Sequence, residues 1–148
     1  MGPYSNLPVM VWFHWGAFAF GSADLNPGHL MDLGVVVVSV QYRLNVFEQN
    51  ECCPRFLRVY KYRGSYSTVV DGCVLCTGFL SLEGTDVPGN AGLKDQVAAL
   101  RWINKHINQF GGDENRVTLF GCSAGGSSVH FHVLSPLSTG RECPLSRQ

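Results

Sequence analysis

The residue best placed for nucleophilic chemistry in this 148-residue chain is a serine between two glycines, Gly121-Cys122-Ser123-Ala124-Gly125. The preceding Val117-Thr118-Leu119-Phe120 is β-prone, and small, helix-tolerant residues follow. A strand that enters a helix through so sharp a turn, a nucleophile elbow, lifts the serine hydroxyl clear of the strand ends. The turn crowds the backbone, so side chains two positions to either side must vanish. Gly121 and Gly125 meet that demand, having no Cβ to clash. Ser123 is read as the nucleophile, and the backbone N–H of Ala124 as a donor aimed at the same point from a helix N-terminus.

A serine attacking a carbonyl leaves a negative charge on its oxygen, which needs further exposed donors. Residues 8–14, Pro-Val-Met-Val-Trp-Phe-His, read as a buried strand that opens into Trp15-Gly16-Ala17-Phe18-Ala19-Phe20-Gly21-Ser22. A strand ending in His before small residues has the form of an oxyanion-hole loop, with Gly16 and Ala17 as its N–H donors. A general base is harder to find. His106 reads as a surface helix residue. His130 and His132 follow the serine on its own helix, two apart, and share no helical face. A base must reach Ser123 from another loop, so neither is assigned that role.

The elements that would hold these groups follow from periodicity. Residues 34–42, Gly-Val-Val-Val-Val-Ser-Val-Gln-Tyr, form a near-continuous β-branched run of the kind found inside a parallel sheet covered on both faces. Over 92–110, Leu93, Val97, Leu100, Ile103 and Ile107 recur every three or four residues, which predicts an amphipathic helix ended by Gly111-Gly112. Strand, loop, strand, long connection, helix, strand, elbow and helix make an α/β pattern with a mostly parallel sheet.

Composition narrows the function classes. Lys plus Arg and Asp plus Glu are equal at 11 each, so no basic surface for nucleic acid is indicated. No apolar run reaches the ~20 residues that span a bilayer. The first residues have neither a basic start nor an apolar core, so no signal peptide is expected within this chain, and its compartment is left open. Cys73-x-x-Cys76 and the pair Cys52-Cys53 raise zinc, but adjacent cysteines suit one tetrahedral site poorly. No metal and no cofactor are expected.

Taken together, the stretches Leu7 to Phe18, Val36 to Asn45 (VVVSVQYRLN), Gly78 to Leu82, the run from Pro88 to Trp102, Phe110-Gly-Gly-Asp113 and Val117 to Gly126 resemble type-B carboxylesterases. Among these the likeness leans toward insect-type esterases, including those acting on juvenile hormone. The resemblance implies a partial α/β-hydrolase fold. It also implies hydrolysis of a small-molecule ester through an acyl-enzyme on Ser123, with Gly16, Ala17 and Ala124 as oxyanion donors. The triad acid and histidine would come from later sequence, so the chain is expected to be an N-terminal-half fragment, inactive alone, of a family often found in the secretory pathway. A non-catalytic, esterase-like adhesion or scaffold protein is the alternative.

Several features depart from the pattern. Trp15 stands where the family has Gly, and would be strained if that position takes positive φ. Cys122 replaces the usual Glu and is expected to be a small buried thiol. Residues 48–77 lack a periodic apolar face and read as a non-homologous insert without folded structure, lying near the strand C-termini; a retained intron, a faulty gene model or a lineage-specific loop each account for it. Residues 141–148 read as a divergent tail.

Overall fold

The computed structural model describes residues 6–46, 54–61, 65–73, 78–87 and 89–138. Its frame is a five-stranded sheet. Strands β1 (Leu7–Phe13), β2 (Val36–Val40), β3 (Pro54–Lys61), β4 (Ser65–Cys73) and β5 (Gly112–Gly121) stand in the order β4-β3-β2-β1-β5. β1 is parallel to both β2 and β5, as the β-branched runs require.

One face of this sheet is continuous. Val9, Val11 and Phe13 stand in register with Val36, Val38 and Val40. On the other side of β1, Val117 and Leu119 align with Val9 and Val11. Helix α2 (Ala91–His106) and the 3-10 turn Ile107–Phe110 lay Ala99, Leu100, Ile103 and Ile107 on this face. The expected helix over 92–110 is therefore a regular helix that tightens in its last turn. Gly111, at φ +83°, ends it and returns the chain to Leu7 through an N–H to carbonyl bond of 2.9 Å. A short helix α1 (Gly28–Asp32) connects β1 to β2, and α3 (Ala124–Leu134) follows β5.

Two expectations are corrected here. The sheet is mixed: it is parallel through β2-β1-β5 and antiparallel through β2-β3-β4. And much of 48–77 is folded, since it supplies β3 and β4, an antiparallel hairpin on the open edge of β2. The physical reason lies in the period. Leu57 and Val59 alternate with Arg58 and Tyr60 at the spacing of a strand, and they are buried opposite Val40 and Val38. That period of two extends the apolar face across the sheet, and a search for helical spacing overlooks it. Cys52, Cys53, Cys76 and residues 141–148 lie outside the described residues.

Candidate active site

β1 and β5 run parallel with Phe13 opposite Gly121, so they end at the same edge of the sheet. Ser123 comes two residues beyond Gly121, and Gly16 three beyond Phe13. The strand register thus brings the serine turn and the glycine loop side by side before any side chain is considered.

Ser123 adopts φ +55°, ψ −118°, and it is exposed. Such a conformation for a residue with a Cβ costs on the order of 1–3 kcal/mol and persists only when its surroundings impose it. They do. A Cβ on Gly121 would stand 2.5 Å from the Gly125 carbonyl carbon, and one on Gly125 would stand 2.0 Å from the Phe13 carbonyl oxygen. The first turn of α3 is therefore pressed between the end of β5 and the end of β1. Ser123 makes no side-chain capping bond to α3, so its hydroxyl is not consumed by the helix it precedes.

The glycine loop is wound as tightly. Gly16 has φ +115°, and its carbonyl accepts from Ala19 (2.9 Å) and Phe20 (3.1 Å). Ala17 and Phe18 follow in the left-handed region at +53° and +61°. Trp15 does not take positive φ; it turns outward, edge-on to Phe20 at 5.8 Å. The departure at this position is accommodated on the surface, and the strain falls one turn later. Among the described residues, the N–H groups of Gly16, Ala17 and Ala124 donate to no acceptor of the chain.

What holds this loop open is an assembly the linear motifs hid. The Phe18 carbonyl accepts from Asn45 N–H at 2.7 Å, and the Asn45 carbonyl accepts from Gly78 (3.1 Å) and Phe79 (2.9 Å). Phe79 returns to pack on Phe18 at 5.2 Å. Arg43 is gripped by Asp95, which accepts from Nε at 2.7 Å, from Nη2 at 2.8 Å and from the Arg43 backbone N–H at 3.1 Å. Gly92 lets α2 approach, since a Cβ there would stand 2.3 Å from the Arg43 carbonyl. Losing one partner of a buried ion pair of this kind costs about 3–5 kcal/mol.

His14 lies under the loop, stacked on Tyr42 at 4.3 Å. Its Nδ1 donates to the Trp15 carbonyl at 2.7 Å, while the Tyr42 hydroxyl donates to the His14 carbonyl at 2.8 Å. Burial lowers the imidazole below the ordinary histidine range, against the opposing pull of its bond to Trp15, and the same burial pushes the Tyr42 phenol up. A neutral, fixed ring here supports the loop rather than carrying protons.

Three further residues need placing. Cys122 is a free thiol and exposed, which corrects the expected buried one: the turn that projects Ser123 leaves its neighbour outside as well. His130 is exposed and His132 buried, on opposite sides of α3. Among the described residues no histidine is hydrogen-bonded to Ser123, no cluster of three or more His, Cys, Asp and Glu could hold a metal, and no helix is long and apolar enough to cross a membrane.

Comparison with known proteins identifies the family and the fold. The model of the carboxylesterase family matches residues 2–48 and 75–142, breaking across the segment that holds β3 and β4. A carboxylic ester hydrolase of Bombus ignitus is 44% identical over 140 residues, covering 94% of this chain and 20% of its own length. Juvenile hormone esterase of Tribolium castaneum is 42% identical over 137 residues, covering 90% of this chain and 18% of its own. The chain spans about a fifth of these relatives. Among solved structures, a PNB esterase superposes with a TM-score of 0.70 at 34% identity, covering 94% of this chain and 25% of that one. Juvenile hormone esterase from Manduca sexta gives 0.66 at 39%, covering 88% of this chain and 20% of that one. On the family match and on these likenesses, the chain belongs to the carboxylesterase family, with an α/β-hydrolase fold.

Proposed function

We propose that this chain carries the nucleophile and oxyanion elements of a serine carboxylic ester hydrolase acting on small-molecule esters. Ser123 Oγ attacks the ester carbonyl, the alcohol leaves, and water then hydrolyses the acyl-serine. The N–H groups of Gly16, Ala17 and Ala124 receive the charge that develops on the carbonyl oxygen. In comparable sites removal of one such donor costs about 10²–10³ in rate. The observation that carries this reading is the strained Ser123 turn pressed on the end of β1, beside three backbone donors without an internal acceptor.

No described histidine is bonded to Ser123, so none is assigned as the general base. With these residues alone, turnover is negligible, and acylation by an activated ester proceeds slowly on positioning and oxyanion binding. Mixing excess protein with p-nitrophenyl acetate tests this. We expect slow release of one equivalent of nitrophenolate, acetyl on Ser123, and loss of both in Ser123→Ala. Acetylation that is unchanged in Ser123→Ala overturns the proposal.

A further inference from the structure

A directed chain of hydrogen bonds runs beneath the serine turn, on residues the proposed reaction does not itself use. Ser138, in the 3-10 turn Pro136–Ser138, lies with Oγ 2.7 Å from His132 Nδ1. His132 Nε2 is 2.8 Å from Gln96 Oε1. Gln96 Nε2 donates to Ser128 Oγ at 3.1 Å, and Ser128 Oγ donates to the Ala124 carbonyl at 2.9 Å. All four side chains are buried, none more than 2% exposed.

The polarity of the chain is set by its members. An amide oxygen only accepts, so His132 carries its proton on Nε2 and Nδ1 accepts from the Ser138 hydroxyl. Burial favours the neutral ring this requires. The order is then Ser138 to His132 to Gln96 to Ser128 to Ala124, each donating to the next.

This chain ties α3 to α2 through Gln96, which bonds both Ser128 and His132. The buried residues of α3 are Ala124, Gly125, Ser128 and His132, three of them in the network (Ala124 through its carbonyl), while Phe131, Val133 and Leu134 face outward. Apolar packing tolerates small rotations of a helix, whereas hydrogen bonds fix distance and angle together. The atom held from α2 is the Ser128 hydroxyl, which reaches back within α3 to the carbonyl of Ala124, the residue directly after Ser123.

We propose that Gln96, Ser128 and His132 are positioning residues for the nucleophile turn. They hold α3 so that the Ser123 hydroxyl and the Ala124 N–H keep their angle to the end of β1. The proposal rests on Ser123 being the nucleophile, and it is tested without requiring turnover.

Nitrogen-15 NMR of the whole chain reads the His132 tautomer at neutral pH. We expect a proton on Nε2; a proton on Nδ1 reverses the chain, takes the Ser128 hydroxyl off the Ala124 carbonyl and overturns the proposal. Amide hydrogen exchange then compares variants. In Gln96→Leu and Ser128→Ala, the Ala124 and Gly125 amide resonances should shift and the Gly125 amide, bonded to the Cys122 carbonyl, should exchange about tenfold faster, while those of Val11 and Val38 stay put. Ser128→Thr, which keeps the hydroxyl, should restore the wild-type pattern. Unchanged Ala124 and Gly125 amides in Ser128→Ala, or failure of Ser128→Thr to restore them, would also overturn it. Should Gln96→Leu fail to fold, the tautomer and the two Ser128 variants still decide. Fluorophosphonate labelling in parallel separates the two readings: an unlabelled Ser123 with the expected amide pattern sinks the hydrolase reading and leaves the positioning intact.

Discussion

Gly125 approaches Phe13 so closely that a Cβ on it would stand 2.0 Å from the Phe13 carbonyl oxygen. The clash would be with backbone, which no rotamer change relieves, so the glycine sets how near the serine turn comes to the oxyanion loop. Gly125→Ala is expected to cost at least the ~1–3 kcal/mol typical of overpacking and to remove Ser123 reactivity. Urea unfolding with acylation of the folded variant checks both. A variant as stable and as reactive as wild type would show that the two elements are not pressed together.

His132 makes stability depend on pH. Burial pushes its pKa down from 6.5 to about 4. The folded value lies below the unfolded one, so the unfolded chain takes the proton first. Stability is full above pH 6.5 and falls as the pH drops toward 4, by roughly 3 kcal/mol for a shift of this size. Lys94 lines the same groove, and neighbouring Asp95 is engaged by Arg43. Urea unfolding between pH 7 and 4.5 should show this slope reduced in His132→Gln, the remainder belonging to groups such as His14. Equal slopes would remove His132 from the account.

The hairpin of β3 and β4 lies between the two stretches that the family model matches and pairs with β2. Leu57 and Val59 extend the apolar face opposite Val40 and Val38, and Arg58 pairs with Asp24 beyond the oxyanion loop. We expect the amides of β3 that pair with β2 to be protected from hydrogen exchange to a similar degree as those of β2. Deleting 49–74 should destabilise the sheet by exposing the β2 edge. Exchange at 57–60 as fast as in a free peptide would contradict this, and transcript sequencing lacking these codons would place the segment outside the natural protein.

The elbow, the oxyanion loop, β1, β2 and α2 were legible because each repeats an apolar period or needs glycine at a fixed offset. What stayed hidden is polar and long-range. Asp95 and Gln96 lie on the buried side of α2, whereas apolar spacing alone points to Leu93, which is half-buried. For His132, nothing local announces that its partners are Gln96, 36 residues earlier, and Ser138. Residues 57–60 did carry a signal, the alternation of Leu57 and Val59, masked by arginines and tyrosines.

The central claim is that the fold singles out Ser123 among neighbouring serines. Treating the whole chain with a fluorophosphonate and mapping the adduct by peptide mass spectrometry tests it most directly. The account predicts one adduct, on Ser123, with none on Ser127 or Ser128 and none after Ser123→Ala. An adduct spread over several serines, or one that survives that substitution, would contradict it.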